Sequence, residues 1–288
     1  MRFHYLDVFT DRPYAGNPLA VFFEEGGLTD QRRQAIASEV GFSETTFVDP
    51  TPDSQGRWRV RIFTPDREIP FAGHPSLGTA DAIARFLSPG ADNVVLALGV
   101  GPLPVVREGA QWVMDQNPPQ FGAVQQNRAR AASLLGLTEA DLDPKLPVRQ
   151  ASTGLPCLVL PLASKAALDR CRVNHLAYEA WLKDEGLGNL AAFAVGSSEP
   201  QCDLSIRVFV DDTGFYEDPA TGSAAGNLAG YLVEHGVFGS ERLRLTASQG
   251  DQMDRPSRLQ LQAWREEGII RVRVGGSSVL VASGDWPV

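Results

Sequence analysis

Three short stretches hold residue types that could move a proton or bind a charged ligand. FAGHPSLGT, from Phe71, wedges His74 between a glycine and a proline where an apolar, alanine-rich segment begins. EDPATGS, from Glu217, sets Asp218 four residues ahead of Gly222 and Ser223 at the start of a second such segment. GFSETTFV, from Gly41, places Glu44 between a helix-ending glycine and an apolar strand. A helix N-terminus offers four unpaired N–H groups and a partial positive charge, and a glycine there lets a ligand approach the backbone closely. Helices opening at Gly73 and Gly222 could therefore hold a carboxylate, and neither carries the G-x-x-x-x-G-K of a nucleotide loop. A buried glutamate with a raised pKa is a standard general acid/base near neutral pH.

Each of these residues also has a plain structural reading. Taken alone, His74 is a cap-region residue making a backbone hydrogen bond, and Asp218 orders the turn ahead of Pro219. Ser223 is an ordinary first-turn residue, and Glu44, by spacing alone, is a solvated charge at a strand edge. The functional reading gains weight because both halves of the chain spend polar residues at the same topological place.

That place is defined by a weak internal repeat about half the chain long. Early in each half, glycine, any residue and proline lead into an apolar strand: GNPLAVFF from Gly16 and GLPCLVLPL from Gly154. Later, an arginine-bearing strand passes through a loop into a glycine-opened helix: RIFTPDREIPFAGHPSLGTADAIARFL from Arg61 and RVFVDDTGFYEDPATGSAAGNLAGYLVEH from Arg207. Trp58, Val60 and Ile62 alternate with Arg57, Arg59 and Arg61, and Leu204, Ile206, Val208 and Val210 repeat the pattern, as do Ile270, Val272 and Val274 against Arg271 and Arg273. This period of two predicts half-buried sheets. The two glycine-opened helices carry so few charges that burial nearly all round is expected.

The fold class is therefore α+β, with two pseudo-symmetric domains, each a strongly curved, mostly antiparallel sheet around a central helix. We expect residues 1–116 plus 276–288 to form one domain, with its helix starting near Gly73, and 117–275 the other, with its helix starting near Gly222. The active-site cleft would lie between them. NPPQFGAVQQ, from Asn117, reads as the linker, and VLVASGDW, from Val279, as a last strand returning to the first half. Outer helices fit DQRRQAIASEV, capped by Thr29 and closed by Gly41, and the amphipathic NRARAASLLG and HLAYEAWLKDEG.

At 288 residues the chain can build such cores without staples. Its 28 glycines and 20 prolines, with 43% hydrophobic and 21% charged residues, describe a turn-rich globular protein. A formal charge of −9, with no basic run longer than Arg32-Arg33, argues against nucleic acid as a partner. Asp7 and Asp11 interrupt the stretch where a signal peptide would need an apolar core, and the apolar run at Val94–Leu98 is too short to span a bilayer. A cytoplasmic location without membrane association is the expectation. Cys157, Cys171 and Cys202 lie far apart with no C-x-x-C pair, which fits separate reduced thiols and gives no metal site.

DVFTDRPYAGNPLAV, GFSETTFV, IFTPDREIPFAGHPSLGTA, EDPATGSAAGNLAGYL and QGDQMDRPSRL are similar, in order and spacing, to the motif set of the phenazine-biosynthesis PhzF-like family, over nearly the whole chain. The resemblance implies the diaminopimelate epimerase-like fold, a homodimer and an isomerase that uses no cofactor. The family's best-known member acts on trans-2,3-dihydro-3-hydroxyanthranilate by moving a proton along a conjugated carbon skeleton. By resemblance, Glu44 is the proton shuttle. His74 and Asp218 bind and polarise a small carboxylated substrate, with Ser223 and the Gly73 and Gly222 backbones at its carboxylate. Two-base epimerases and racemases of this fold place cysteines near the positions held here by Ala72 or Gly73 and by Thr221, and the absence of thiols there argues against amino-acid racemisation. A non-catalytic binding protein with the same cleft is the alternative, and a metal-dependent hydrolase has only His74 and scattered acids in its favour.

Overall fold

The computed structural model describes residues 1–210 and 217–287. In chain order the elements begin β1 (Arg2–Val8), β2 (Asn17–Phe23), α1 (Asp30–Val40), β3 (Glu44–Val48), β4 (Arg57–Phe63), β5 (Glu68–Ile69), α2 (Gly73–Phe86), β6 (Asn93–Leu98), β7 (Gly101–Glu108) and β8 (Gln111–Gln116). They continue with β9 (Gln120–Val124), α3 (Arg128–Ser133), β10 (Arg149–Ser152), β11 (Cys157–Pro161), α4 (Lys165–Arg170), α5 (His175–Glu185), β12 (Leu190–Val195) and β13 (Leu204–Phe209). The chain closes with α6 (Gly222–Glu234), β14 (Arg242–Gln249), β15 (Ser257–Glu266), β16 (Ile269–Gly276) and β17 (Ser278–Asp285). Two compact units result: Met1–Asp115 with Gly275–Val288, and Gln116–Val274.

Both units repeat one strand grammar. In the first, β1–β2 is antiparallel, β2–β3 parallel, β3–β4 antiparallel, β4–β6 parallel and β6–β7 antiparallel. In the second, β10–β11, β11–β12, β12–β13, β13–β14 and β14–β15 follow the same alternation. One helix sits inside each curved sheet. Every residue of α2 from Gly73 to Ala84 is buried, as is α6 from Ala224 to Val233. A helix with no solvated face must be made of small and apolar residues, and these two sequences are. The fold class is the α+β arrangement of two pseudo-symmetric domains. The C-terminal strand β17 pairs antiparallel with β1, Phe3 opposite Gly284.

The outer helices are closed by local chemistry. Thr29 caps α1 by accepting from the Arg32 N–H, and Gly41 ends it in the left-handed region at φ 68°. Asn174 and Gly186 do the same for α5. These helices cover the sheet faces opposite the central ones. In the first unit Ile36 and Ala37 of α1 join Ala20, Phe22, Phe47 and Phe63. In the second, Ala167 and Leu168 of α4 with Tyr178 and Trp181 of α5 join Leu158, Leu160, Ala192 and Phe209.

Two expectations are corrected. β4 and β16 alternate as predicted, but every residue of β13 is buried, Arg207 included. The outer-helix layer lies over its second face, so Arg207 must bring its own partners. Its Nε and Nη2 donate to both Glu217 carboxylate oxygens at 2.8 and 2.7 Å, and Nη1 donates to the Leu168 and Cys171 carbonyls at 3.1 and 2.8 Å. The stretch 117–126 is not all loop either, because Gln120–Val124 forms β9 and pairs with β10. Pro118 and Pro119, which cannot donate to a ladder, stop just short of the strand. Asp211–Tyr216, part of the second copy of the repeat, lie outside the described residues.

Removing one partner of a buried ion pair leaves the other uncompensated. Glu217→Ala is therefore expected to destabilise the protein by about 3 kcal/mol in urea denaturation, by stranding the Arg207 guanidinium. A loss below about 1 kcal/mol would place that pair among ordinary surface ion pairs.

Candidate functional site

Glu44 and His74 come together. The parallel register of β2 and β3 sets Glu44 beside Leu19, at the first position of β3. His74 is the second residue of α2, whose N-terminal turn is buried. Nε2 of His74 lies 3.5 Å from Oε2 of Glu44, with the side chains 5% and 18% exposed. Glu44 is thus mostly buried and is not the solvated strand-edge charge that its spacing alone suggests.

The loop between β1 and β2 leads into the strand that pairs with β3 beside Glu44. Its chain turns back through three left-handed residues, Phe9, Tyr14 and Gly16. At Gly16, with φ 67°, an added Cβ would lie 2.2 Å from the Val8 carbonyl oxygen, so no side chain fits. Asp7 accepts the Tyr14 N–H at 2.7 Å, and Ser43, next to Glu44, donates its hydroxyl to Asn17 Oδ1 at 3.2 Å. Burial pushes the His74 pKa down from 6.5 to about 3, so the ring is neutral. Its Nε2 has no hydrogen-bond partner among the described residues.

Asp218, Gly222 and Ser223 form a second group, in the other unit. The Asp218 N–H bonds the Val208 carbonyl at 2.9 Å, and its carboxylate accepts the Thr221 hydroxyl. Gln249 braces this turn. Its Nε2 donates to the Asp218 carbonyl at 2.7 Å and to Thr221 Oγ1 at 3.1 Å, while its Oε1 accepts the Thr221 N–H at 3.1 Å. Gly250, at φ 80°, closes against the Pro219 carbonyl, which an added Cβ would meet at 2.6 Å. Across the first turn of α6, Gln116 donates to the Gly222 carbonyl at 3.0 Å. Gln249 and Gln116 were not singled out from the sequence. Gln249 and Gly250 belong to QGDQMDRPSRL, so the signal was a motif whose role no local pattern revealed.

The two central helices differ from the others at their starts. α1, α3, α4 and α5 are each capped by a side chain, from Thr29, Asn127, Ser164 and Asn174. Neither Ala72 nor Thr221 makes a side-chain cap bond to α2 or α6. The amides at Gly73 and Gly222 thus open helices whose dipoles favour an anion.

The three cysteines are free, with Cys157 and Cys171 buried. None stands at a helix start. Burial pushes the Cys157 and Cys171 thiols up to about 12 and Cys202 to about 11, far from the thiolate range a two-thiol racemase requires. No group of three metal-ligating side chains comes together, and no helix is long and apolar enough to cross a membrane, among the described residues.

The family model for phenazine biosynthesis-like proteins matches residues 6–284. An uncharacterized isomerase of Pasteurella multocida is 34% identical over 285 residues, covering 98% of this chain and 93% of its own length. The trans-2,3-dihydro-3-hydroxyanthranilate isomerase of Pseudomonas chlororaphis is 33% identical over 289 residues, 98% of each chain. The crystal structure of a PhzF-family phenazine biosynthesis protein from Bacillus anthracis matches with a TM-score of 0.91 at 26% identity, over 100% of this chain and 99% of that one.

Two outcomes follow from the buried titratable groups. Above pH 6.5 neither the folded nor the unfolded chain protonates His74. As pH falls through that value, the unfolded chain takes up a proton that the folded ring refuses until about pH 3, so stability drains away across that window. His4, lowered to about 4 chiefly by burial, acts with the same sign. Urea midpoints measured from pH 7 to pH 4 should fall more steeply for the wild type than for His74→Gln, and equal slopes would contradict the burial of the ring. At pH 8, iodoacetamide should leave Cys157 and Cys171 unlabelled in the native protein, as read by mass spectrometry of tryptic peptides. Rapid labelling of either would show a thiolate that this environment does not permit.

Proposed function

The chain belongs to the phenazine biosynthesis-like protein family and is an isomerase, and from that premise we propose that it moves a proton between carbons of a small, carboxylated, cyclic or unsaturated metabolite by general acid/base catalysis. The observation that carries this proposal is the buried pair at the start of α2, in which a carboxylate and a neutral imidazole face each other at 3.5 Å. Glu44 is the shuttle. A single carboxylate can take a proton from one carbon and return it to another when water is kept away, and the low exposure of both side chains supports that.

The remaining residues take binding roles in this account. His74 contacts the substrate beside the shuttle, and the uncapped Gly73 amide offers a place for a negative group. In the second unit Asp218 binds and polarises the substrate, with Ser223 and the Gly222 backbone toward its carboxylate. The buried brace of Gln249 supports the role given to Asp218, because a side chain that must meet a substrate in one pose needs a rigid turn. One carbon gives up a proton to Glu44 and another receives one from it, the loaded carboxyl exchanging with solvent in between, so the step balances without an oxidant, a reductant or a cofactor.

The test follows deuterium uptake by proton NMR in heavy water, with trans-2,3-dihydro-3-hydroxyanthranilate as the first probe and a panel of small unsaturated cyclic acids beside it. The wild type should label at least one of these at carbon, and Glu44→Gln should slow that labelling by about 10²–10⁴-fold. Undiminished labelling by Glu44→Gln would remove Glu44 from the role. Tight binding of a probe with no labelling at all would mark a binding protein.

A further inference from the structure

Thr221 stands in the cap position before α6 and does not cap it. Threonine is among the residue types that favour this position, and Thr29 uses it to cap α1. The hydroxyl of Thr221 goes instead to Oδ2 of Asp218. Gln249, buried at the end of β14, explains why. A side-chain amide can be turned two ways, but two backbone groups decide this one. The Asp218 carbonyl, 2.7 Å from Nε2, can only accept, and the Thr221 N–H, 3.1 Å from Oε1, can only donate. Turning the amide over would set oxygen against oxygen and N–H against N–H. Nε2 is therefore the donor toward Thr221 Oγ1, at 3.1 Å. With its oxygen taking that N–H, the hydroxyl has its single proton left for Asp218.

We propose that Gln249 and Thr221 form a one-way relay, amide to hydroxyl to carboxylate, that holds Asp218 as an ionised acceptor in a single pose. Both are positioning residues, acting through Asp218. The inference rests on the substrate-binding role given to Asp218 and deepens it. A carboxyl protonated at Oδ2 would turn its proton on the hydroxyl's own, which the relay forbids. A carboxylate there meets a donor that the amide behind it has already polarised, and a hydrogen bond to the charged form favours that form. No proton travels along the relay; it sets direction only.

Asp218 is thereby fixed at three points. Its N–H is bonded to the Val208 carbonyl at 2.9 Å, its own carbonyl takes the Gln249 amide, and Oδ2 takes the Thr221 hydroxyl. Val208 lies on β13 and Gln249 ends β14, and these strands pair in parallel, so one sheet sets both anchors. Gly250 lets the end of β14 close on the turn. At φ 80° an added Cβ would lie 2.3 Å from the Arg255 carbonyl oxygen and 2.6 Å from that of Pro219. The first turn of α6, left without its threonine cap, is held from the side by Gln116, which donates to the Gly222 carbonyl. A local rule broken in this way, with compensation supplied from elsewhere, is what a functional position looks like.

The test follows carbon labelling in heavy water by the full-length protein, with trans-2,3-dihydro-3-hydroxyanthranilate, or the panel acid that the wild type labels, as the probe. Thr221→Val keeps the shape and removes the hydroxyl, and should slow labelling by roughly tenfold to a hundredfold. Thr221→Ser keeps the hydroxyl and should stay within about threefold of the wild type. Added to Asp218→Asn, Thr221→Val should cost no more than about a further threefold. No loss in the valine variant, equal losses in valine and serine, or losses that multiply in the double variant overturn the relay. If Thr221→Val fails to fold, neutron diffraction from crystals of the unaltered protein in heavy water decides. The expected map has the Thr221 hydroxyl deuteron directed at Asp218 Oδ2 and two deuterons on the Gln249 nitrogen that faces the Asp218 carbonyl. A deuteron on Asp218 Oδ2 overturns the relay. The two readings fail separately: undiminished labelling by Asp218→Asn removes Asp218 from the reaction, whereas a loss there with none in Thr221→Val removes the relay alone.

Discussion

A neutral imidazole sealed inside a protein needs a reason to be there, and here the reason is the carboxylate 3.5 Å away. Burying His74 depresses its pKa to about 3 and makes the fold less stable in acid. That cost is met by surroundings that bury the ring completely in the first turn of α2 and set Glu44 beside it. The left-handed Gly16 loop, the parallel β2–β3 register and the apolar walls of α2 all serve to hold those two neighbours. The second unit applies the same principle, where Gln249 directs both its amide donors and its oxygen to a single turn around Asp218 and Thr221.

Much of the fold was legible because its physics is local. A charge-poor, alanine-rich helix opening on a glycine has nowhere to go but the centre of a sheet, and α2 and α6 obey. Thr29 and Gly41 bracket α1 as any capped helix is bracketed. What escaped depends on distant chain. β13 alternates like a half-buried strand, yet α4 lies over its second face, and Glu217 with the Leu168 and Cys171 carbonyls at the end of that helix makes Arg207 tolerable there. The strand Gln120–Val124 hides behind two prolines because its partner, β10, is about 25 to 32 residues away in sequence.

The site was legible as candidates and not as geometry. Glu44 read by itself is an edge charge, and His74 read by itself is a cap residue. Their meeting requires the pairing of β2 with β3 and the packing of α2 on both, and neither is encoded in a local window. Gln249 was invisible for a further reason. It works through a side chain that looks like any strand glutamine. The uncapped starts of α2 and α6 were hinted at by Ala72 and Gly73, but become informative only beside four outer helices that are capped.

The central claim is that Glu44 and His74 act as one unit. A double-mutant cycle on carbon labelling in heavy water, with Glu44→Gln and His74→Asn made singly and together, tests it most directly. If the residues form one device, the double variant will be no slower than the slower single variant, within about threefold. If the two losses multiply, each residue works independently, and the buried pair is not the device that moves the proton.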